Sequence, residues 1–316
     1  MQYDALVIGG SYAGLSASIY LARGRHSVCV IDAGLPRNRF SDAAHGFFGQ
    51  DGAKPAEMIQ TARTQLARYP SVTLLDGLAT GARVDEGGFR VTLESGQEVF
   101  GAKIVLAVGV ADILPNIPGL AERGGRSVLH CPYCHGYEFG DRQLGVLNMG
   151  PMSSQQALMI SNWGPTILFL NGRDDLGDEV RDKLQVRGVT VEPGLVAGLE
   201  GDAPHLRAVR LANGRQVAAD ALFIMAGTRL GSPIAEQLGC AVDEAFLGPL
   251  IRVDPTMMTT VPGVYAAGDA MRVPNSASFA SADGVSAGAS VSQALIFGAG
   301  YKALPRLGME TTNEGP

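Results

Sequence analysis

The chain has 316 residues, 18% of them charged, and a formal net charge of −6. This length allows two domains of ordinary size, each with its own core, and the composition argues against a disordered chain. The negative balance leaves no basic footprint, so neither nucleic acid nor an anionic membrane surface is expected as a partner.

The N-terminus and the cysteines bear on the cellular compartment. Residues 3–8 form a short strand-like run instead of a charged segment followed by a long apolar stretch, so no secretion signal is expected. No run reaches the roughly 18 apolar residues of a membrane-spanning helix. Four cysteines, of which only two are close together, are too few for a secreted disulfide scaffold. We therefore expect a cytoplasmic protein without a membrane segment.

The N-terminal part carries a candidate dinucleotide-binding loop. A strand-like apolar run, the turn GGSYAG and a helix-like stretch follow each other over residues 5–22. Gly9 and Gly14 match the G-x-G-x-x-G pattern, whereas Ser11 replaces its second glycine. The start of the helix would attract a phosphate, and Asp32, after the next strand, could accept a hydrogen bond from a ribose hydroxyl. The alternative is a glycine-rich turn that binds nothing.

A second βαβ pattern suggests that one domain is inserted in another. Residues 143–170 repeat the order strand, turn, helix and strand, while residues 263–269 and the helix-like stretch after Ser281 resemble the end of the first unit. The sequence thus predicts an α/β fold with two Rossmann-like three-layer nucleotide-binding domains, the second inserted in the first. Their predicted bounds are residues 1–115 with 250–316 for the first domain and residues 116–249 for the second.

The strongest chemical signal is the CxxC pair of Cys131 and Cys134, followed at once by His135. A zinc site would need two further ligands, and the other cysteines, Cys29 and Cys240, are isolated. A dithiol that cycles to a disulfide is therefore favoured over zinc and over an inert structural pair, and no metal site is expected. The thiolate is the reactive form, and His135 could serve as its base because imidazole titrates near neutrality.

Four segments spread over nearly the whole chain carry a family resemblance. They are GGSYAG at residues 9–14, AVG at 107–109, CPYC at 131–134 and GVYAAGD at 263–269. Together they resemble the low-molecular-weight thioredoxin reductase family of flavoproteins. In that family the first domain binds FAD, the inserted domain binds NADPH and carries the CxxC, and the protein is a homodimer.

The resemblance also implies roles for individual residues. Cys134 would face the isoalloxazine ring of FAD, Cys131 would exchange with the substrate, and His135 stands where these reductases keep an acidic proton donor. Asp269 would bind the ribityl or phosphate region of FAD, and His45 is a candidate for the flavin side. The cofactor-binding residues expected from the loop and the resemblance are Gly9, Gly10, Ser11, Ala13, Gly14, Asp32, Ala33, Arg37, Asn38, His45, Ala107, Gly109, Asp269 and Ser278.

The runs CPYCHGYE at residues 131–138 and PRNR at residues 36–39 are more similar to one branch of this family. It contains the dithiol oxidases that close disulfides in gliotoxin and holomycin biosynthesis with oxygen as acceptor, and reductase-like flavoproteins that do not use NADPH. Where NADPH reductases resemble G-x-G-x-x-A, this chain has NMGPMS at residues 148–153, and after the next strand only Arg173 remains of two arginines. Lost guanidinium contacts would weaken NADPH binding, although Arg173 and Arg181 could compensate.

These observations leave three hypotheses. The first is an FAD-dependent dithiol–disulfide oxidoreductase that does not rely on NADPH. Its thiol partner would be a small dithiol or a thioredoxin-like protein, and its electron partner would be oxygen or a redox protein such as ferredoxin. The second is a conventional NADPH-dependent thioredoxin reductase. The third is a non-catalytic FAD-binding sensor, against which the intact CxxC beside His135 argues.

Overall fold

Strands and helices alternate along the chain in the computed structural model, which describes residues 2–298. Its strands are β1 (Gln2–Ile8), β2 (Val28–Asp32), β3 (Val72–Asp76), β4 (Ala79–Asp85), β5 (Gly88–Leu93), β6 (Glu98–Leu106), β7 (Val110–Ile113), β8 (Val128–Leu129), β9 (Leu144–Leu147), β10 (Thr166–Phe169), β11 (Thr190–Glu192), β12 (Val196–Glu200), β13 (Ala208–Leu211), β14 (Gln216–Ala218), β15 (Ala221–Ile224), β16 (Gly227–Leu230), β17 (Val242–Ala245), β18 (Gly248–Ile251) and β19 (Val264–Ala266). Its α-helices are α1 (Tyr12–Arg23), α2 (Pro55–Leu66), α3 (Pro132–His135), α4 (Ser153–Ile160), α5 (Asp178–Val186), α6 (Ile234–Gln237) and α7 (Ala277–Phe297). None of the helices within residues 2–298 combines the length and the apolar character needed to cross a membrane. Residues 299–316, which the sequence assigns to the first domain, lie outside this description.

The first sheet has the strand order β3-β2-β1-β6-β5-β4, and β19 pairs with β6. Its strands β1, β2, β3, β6 and β19 run parallel. The continuous apolar run in β1 fits this arrangement, because parallel strands are covered on both faces. Strands β4 and β5 extend the sheet as an antiparallel hairpin. The chain therefore leaves this sheet after β6 and returns to it at β19.

A second sheet has the order β11-β10-β9-β15-β8, and all of its pairings are parallel. Helix α4 connects β9 to β10, so the predicted repeat of strand, turn, helix and strand is present. The antiparallel sheet β12-β13-β14 shares a hydrophobic core with this second sheet. The predicted α/β fold with two Rossmann-like nucleotide-binding units is therefore confirmed.

The connection back to the first sheet comes earlier than the sequence predicts. Strand β16 pairs antiparallel with β7 and forms a two-stranded link between the sheets. Beyond this link, Leu230, Ile234 and Leu238 pack in the hydrophobic core of the first sheet. Burial of each such side chain contributes about 1.5–3 kcal/mol to the free energy of folding, which holds α6 on this sheet. We therefore propose that the inserted domain ends near residue 226 instead of residue 249.

Helices α1 and α7 pack with their backbones in close contact. Helix α7 begins before Ser281, earlier than predicted, because the Ser276 side chain accepts a hydrogen bond from the Phe279 N–H and caps the helix. A Cβ at Gly284 would lie 2.1 Å from the main-chain oxygen of Ala13, so only glycine permits this approach. Because α1 follows the first loop and α7 follows β19, this contact joins both parts of the first domain.

Candidate active site

The first loop folds tightly over the end of β1. Gly9 has φ +106°, and a Cβ there would lie 2.2 Å from the main-chain oxygen of Ala107. A Cβ at Gly14 would lie even closer, 1.8 Å from the main-chain oxygen of Gly9. Ser11 precedes α1, but its side chain does not cap the helix. The first N–H groups of α1 are therefore left for another acceptor, which favours an anion at this position.

Asp32 lies directly against this loop. A Cβ at Gly10 would be 2.6 Å from both Cγ and Oδ2 of Asp32. Oδ1 of Asp32 accepts a hydrogen bond from the Gly34 N–H at 3.2 Å, and Oδ2 lies 3.0 Å from Nη1 of Arg63 on α2. Ala33 is exposed beside this acid. The structure thus brings the predicted loop and the predicted acid together, and Arg63 fixes the carboxylate.

The segment after β19 approaches the same loop from another side. Gly268 has φ +78°, and a Cβ there would lie 3.0 Å from Cβ of Ala13. Asp269 follows, and its Oδ2 lies 3.4 Å from Nη1 of Arg37. Burial raises the pKa of the Asp269 carboxyl, and the Arg37 guanidinium opposes this shift. The predicted residues from both parts of the first domain therefore converge around the start of α1.

Arg37 connects several elements around this loop. Its Nη2 lies 2.5 Å from Oδ1 of Asp112, and its Nη1 donates to Oδ1 of Asn275 at 3.1 Å as well as contacting Asp269. Gly109, with φ +60°, makes the turn between β6 and β7 that leads to Asp112. A guanidinium between two carboxylates gains Coulomb energy from both, so Arg37 holds these elements in one arrangement.

The loop of residues 36–53 is fastened to the first domain at two points. Nδ2 of Asn38 donates to Oη of Tyr12 at 3.1 Å, next to the first loop. The Ser278 hydroxyl, at the start of α7, donates to the main-chain oxygen of Gly46 at 3.2 Å. The predicted residues Asn38 and Ser278 thus lie around the same site, where they position this loop.

The 36–53 loop also contacts the CxxC segment, which we define as residues 125–138. The contacting pairs are Arg126 with Asp42, Gly125 with Phe40, and Glu138 with His45. In the last pair, Nε2 of His45 lies 3.3 Å from Oε1 of Glu138. The predicted residue His45 is therefore at the boundary between the first domain and the segment that carries the cysteines.

Cys131 and Cys134 form a disulfide, with their Cα atoms 5.3 Å apart. Cys131 precedes α3, and its Sγ accepts a hydrogen bond from the Cys134 N–H at 3.2 Å. Pro132 occupies the first helical position, where its fixed φ and missing N–H are tolerated. One helical turn thus brings both sulfurs together and places His135 directly after them.

His135 is half-buried beside this disulfide. Burial lowers the pKa of its imidazole, the Glu138 carboxylate acts in the opposite direction, and His45 lowers the pKa further. An imidazole with a lowered pKa is neutral near pH 7 and can accept a proton from a thiol. His135 therefore has the protonation state that the predicted base requires.

His130, directly before Cys131, belongs to the same surroundings. The residue is exposed to solvent although many protein atoms surround it at longer range, so it is not packed in a core. Burial lowers the pKa of His130 to about 4, with a further contribution from Arg37, while Asp112 opposes the shift. A second neutral histidine thus flanks the CxxC on its N-terminal side.

The loop after β9 is closed by its own side chains. Oδ1 of Asn148 accepts a hydrogen bond from the Gly150 N–H at 3.1 Å, and Oγ of Ser153 accepts one from the Met149 N–H at 2.8 Å. Nδ2 of Asn148 donates to Oδ1 of Asp175 at 3.0 Å. Two backbone N–H groups of this loop, those of Met149 and Gly150, are therefore already engaged by its own side chains.

The charges beside this second loop are also unfavourable for a phosphate. Asp175 lines a cavity of about 290 Å³ together with loop residues such as Gly150. Arg181 forms an ion pair with Asp174. Arg173 is exposed, and its main-chain oxygen accepts a hydrogen bond from Asn148. Of the two arginines that could compensate for missing phosphate contacts, one is therefore already paired with an acid.

The fold, the first loop and the CxxC disulfide together define a known class of enzyme. The chain belongs to the family described as pyridine nucleotide-disulphide oxidoreductase, which matches residues 3–284. It is therefore an oxidoreductase of the thioredoxin reductase type, as the motifs predicted.

Individual relatives support the same conclusion. The thioredoxin reductase tcpT of Claviceps purpurea is 34% identical over 281 residues, which cover 84% of this chain and 86% of that protein. An oxidoreductase from Agrobacterium tumefaciens has a TM-score of 0.90 and 42% identity, covering 94% of this chain and 99% of that chain. HlmI has a TM-score of 0.86 and 33% identity, covering 93% and 92% of the two chains. The predicted resemblance to this branch of the family is confirmed.

The first domain fits a flavin dinucleotide, the usual cofactor type of this family. The loop around Gly9 packs so closely on the main chain of Ala107 that a larger side chain at Gly9 would collide there. Near Gly268, Arg272 and Asp283 form an ion pair, and each leaves one buried polar atom, Nε and Oδ2, without a hydrogen bond among the described residues. Close backbone approach and unused polar atoms are what a dinucleotide requires. Within residues 2–298, no cluster of three or more histidine, cysteine or acidic residues could hold a metal ion.

Sequence reasoning missed four residues that shape this site. Arg63 lies on an amphipathic helix without a motif, so no sequence signal predicts its contact with Asp32. Asp112 follows the predicted glycine turn closely, and His130 and Glu138 flank the CxxC, so proximity in sequence was an available signal. Their partners come from the 36–53 loop, and only the fold brings these segments together.

Proposed function

We propose that this protein is an FAD-dependent dithiol–disulfide oxidoreductase that works without NADPH. The closed loop after β9 carries this proposal, because Asn148 and Ser153 already accept the hydrogen bonds of two of its N–H groups, those of Gly150 and Met149. A lost charged hydrogen bond costs about 1.5–3 kcal/mol, or roughly ten- to a hundredfold in affinity. Asp175 adds negative charge beside the loop, and Asp174 engages Arg181 in an ion pair, so both acids oppose binding of a 2′-phosphate.

The first domain would hold FAD through residues from both of its parts. The N-terminus of α1 and the loop of residues 9–14 would receive the pyrophosphate. Asp32, fixed by Arg63, would accept a hydrogen bond from a ribose hydroxyl, and Asp269 would contact the ribityl or phosphate region. Bound FAD supplies the two-electron carrier that side chains cannot provide.

The disulfide would exchange with the thiol partner. In the oxidase direction, a substrate thiolate attacks Sγ of Cys131, and the bond to Cys134 breaks. The second substrate thiol then displaces Cys131, which leaves a substrate disulfide and two reduced cysteines. Two electrons and two protons have then passed from the substrate to the cysteine pair. Neutral His135 accepts the proton of the attacking thiol, and Cys134 would be the cysteine from which bound FAD receives the electrons.

The partners follow from this chemistry. The thiol partner is a small dithiol or a thioredoxin-like protein, and the electron partner is oxygen or a redox protein such as ferredoxin. The resemblance to the thioredoxin reductase family supports both a homodimer and a cytoplasmic location. An exposed disulfide segment supports a thiol partner that docks from solution, because Tyr133, between the cysteines, is 74% exposed.

A conventional NADPH-dependent thioredoxin reductase is the second candidate. It is favoured by the name of the relative tcpT and by the pyridine nucleotide in the family description. In that case NADPH would have to open the loop at Asn148 and draw Arg181 away from Asp174.

Anaerobic reduction of the purified holoprotein separates the two candidates. NADPH or dithiothreitol is added while the flavin absorbance is followed. We expect the dithiol to bleach the flavin and NADPH to leave it oxidised. Bleaching within seconds at micromolar NADPH would restore the conventional reductase. The double variant Cys131→Ser/Cys134→Ser is the control, because it should keep its FAD and lose the response to the dithiol.

A further inference from the structure

Glu138 stands between two histidines from different parts of the molecule. His45 belongs to the 36–53 loop, with Nε2 at 3.3 Å from Oε1 of Glu138 and Nδ1 at 3.5 Å from Oδ1 of Asp51. His135 ends α3, and Glu138 lies in the 3₁₀ turn that follows it. One carboxylate thus interacts both with the loop of the first domain and with the imidazole beside the disulfide.

The charges around His135 act in opposite directions. The Glu138 carboxylate favours the protonated imidazole and raises its pKa, whereas burial and the neighbouring His45 lower it. His130 is a further titratable neighbour on the N-terminal side of the cysteines. The side chain of Glu138 is 42% exposed, so these interactions are partly screened and should weaken in salt.

The proximity of His45 and Glu138 depends on a larger interface. The ion pair between Arg126 and Asp42 joins the same loop to the same segment. Glu138 and His135 lie on one continuous stretch of chain, so their interaction persists whether or not the loop is in contact. The interaction with His45 exists only while the loop and the CxxC segment touch.

We propose that Glu138 and His45 are positioning residues for His135, with the Glu138 carboxylate linking the 36–53 loop to the acid–base group beside the disulfide. This inference rests on the proposed function, in which His135 accepts the thiol proton. While the loop is in contact, a protonated His45 offsets the negative charge of Glu138, and His135 releases its proton readily. When the contact opens, Glu138 acts alone and His135 holds its proton. Docking of the CxxC segment thereby controls the acid–base group that serves it.

Histidine titration by NMR tests this directly in the FAD-loaded protein at low salt. The chain has five histidines, so selective ¹³C labelling gives a resolvable spectrum, and His135→Asn assigns the relevant signal. We expect Glu138→Gln to lower the titration midpoint of His135 and His45→Gln to raise it. Glu122→Gln, which removes an exposed carboxylate of the same domain, should leave it unchanged.

Opposite shifts of the His135 midpoint in the two variants support the proposal, because a merely structural role would move the midpoint in the same direction in both variants. Shifts of equal sign, or no shift at low salt, would overturn it. The pH profile of flavin reduction by dithiothreitol should move with the midpoint in each variant, and a profile that stays fixed would also overturn it. If the wild type accepts no electrons from a dithiol, the proposed function fails, while the NMR midpoints still report on the charge network.

Discussion

Replacing Gly10 by alanine tests whether the first loop and Asp32 form one cofactor site. The new Cβ would lie 2.6 Å from Cγ and Oδ2 of Asp32, whereas ordinary contacts begin at 3.4 Å. The carboxylate would therefore have to retreat by about 0.8 Å, the difference between these distances. It cannot do so freely, because Nη1 of Arg63 holds Oδ2 at 3.0 Å.

We expect Gly10→Ala to weaken FAD binding about ten- to a hundredfold, because the displaced Asp32 loses one charged hydrogen bond, worth about 1.5–3 kcal/mol. Titration of the apoprotein with FAD, followed by flavin fluorescence, measures this. Gly177→Ala is the matched control, since a Cβ there meets nothing within 4 Å and φ is −72°. An unchanged affinity in Gly10→Ala, or an equal loss in the control, would refute the reasoning.

Further expectations concern the cysteines, His130 and Arg123. Cys131→Ser should show a long-wavelength thiolate–flavin absorbance band that Cys134→Ser lacks, and identical spectra would contradict their assigned roles. The pKa of His130 is lower in the folded protein than in the unfolded chain, so the unfolded chain binds more protons between these two values. The free energy of unfolding should therefore fall as pH drops from 6.5 to about 4. Urea titrations should show a smaller fall for His130→Asn, and an identical fall would exclude this histidine as the cause. Arg123 is 4% exposed and donates to main-chain oxygens only. Arg123→Met should therefore lower the free energy of unfolding by about 3 kcal/mol or more in the same titrations, because these buried oxygens lose their donor. A loss below about 1 kcal/mol would contradict this.

The sequence predicted those features whose residues are close together in the chain. The loop from Gly9 to Gly14 and the CxxC pair are local patterns, and each is formed largely by its own backbone. The contact of Arg63 with Asp32 joins α2 to β2, and no periodicity or spacing in the sequence encodes which helical residue will face the acid. Long-range pairs of this kind depend on how the elements pack, and packing is not visible from a single sequence.

The proposed end of the inserted domain, near residue 226, differs from the predicted residue 249 for a related reason. Residues 230–251 contain short elements with no nucleotide-loop pattern, and the Gly248-Pro249 turn was the first clear signal of a return. The burial of Leu230 and Ile234 against the first sheet decides the boundary, because hydrophobic contacts form wherever the fold places a matching surface. Short apolar runs do not reveal which of two cores they will join.

The close packing of α1 against α7 also constrains how the protein is made. A chain emerging from the ribosome has its first loop early, but Asp269 and α7 appear only near the end of synthesis. The second sheet is continuous in sequence from β8 to β15, so it can fold while the first sheet still lacks β19. Binding of FAD at the proposed site would then be a late event in biogenesis. A chain cut before residue 263 would keep a folded inserted domain with an intact CxxC and no flavin to receive its electrons.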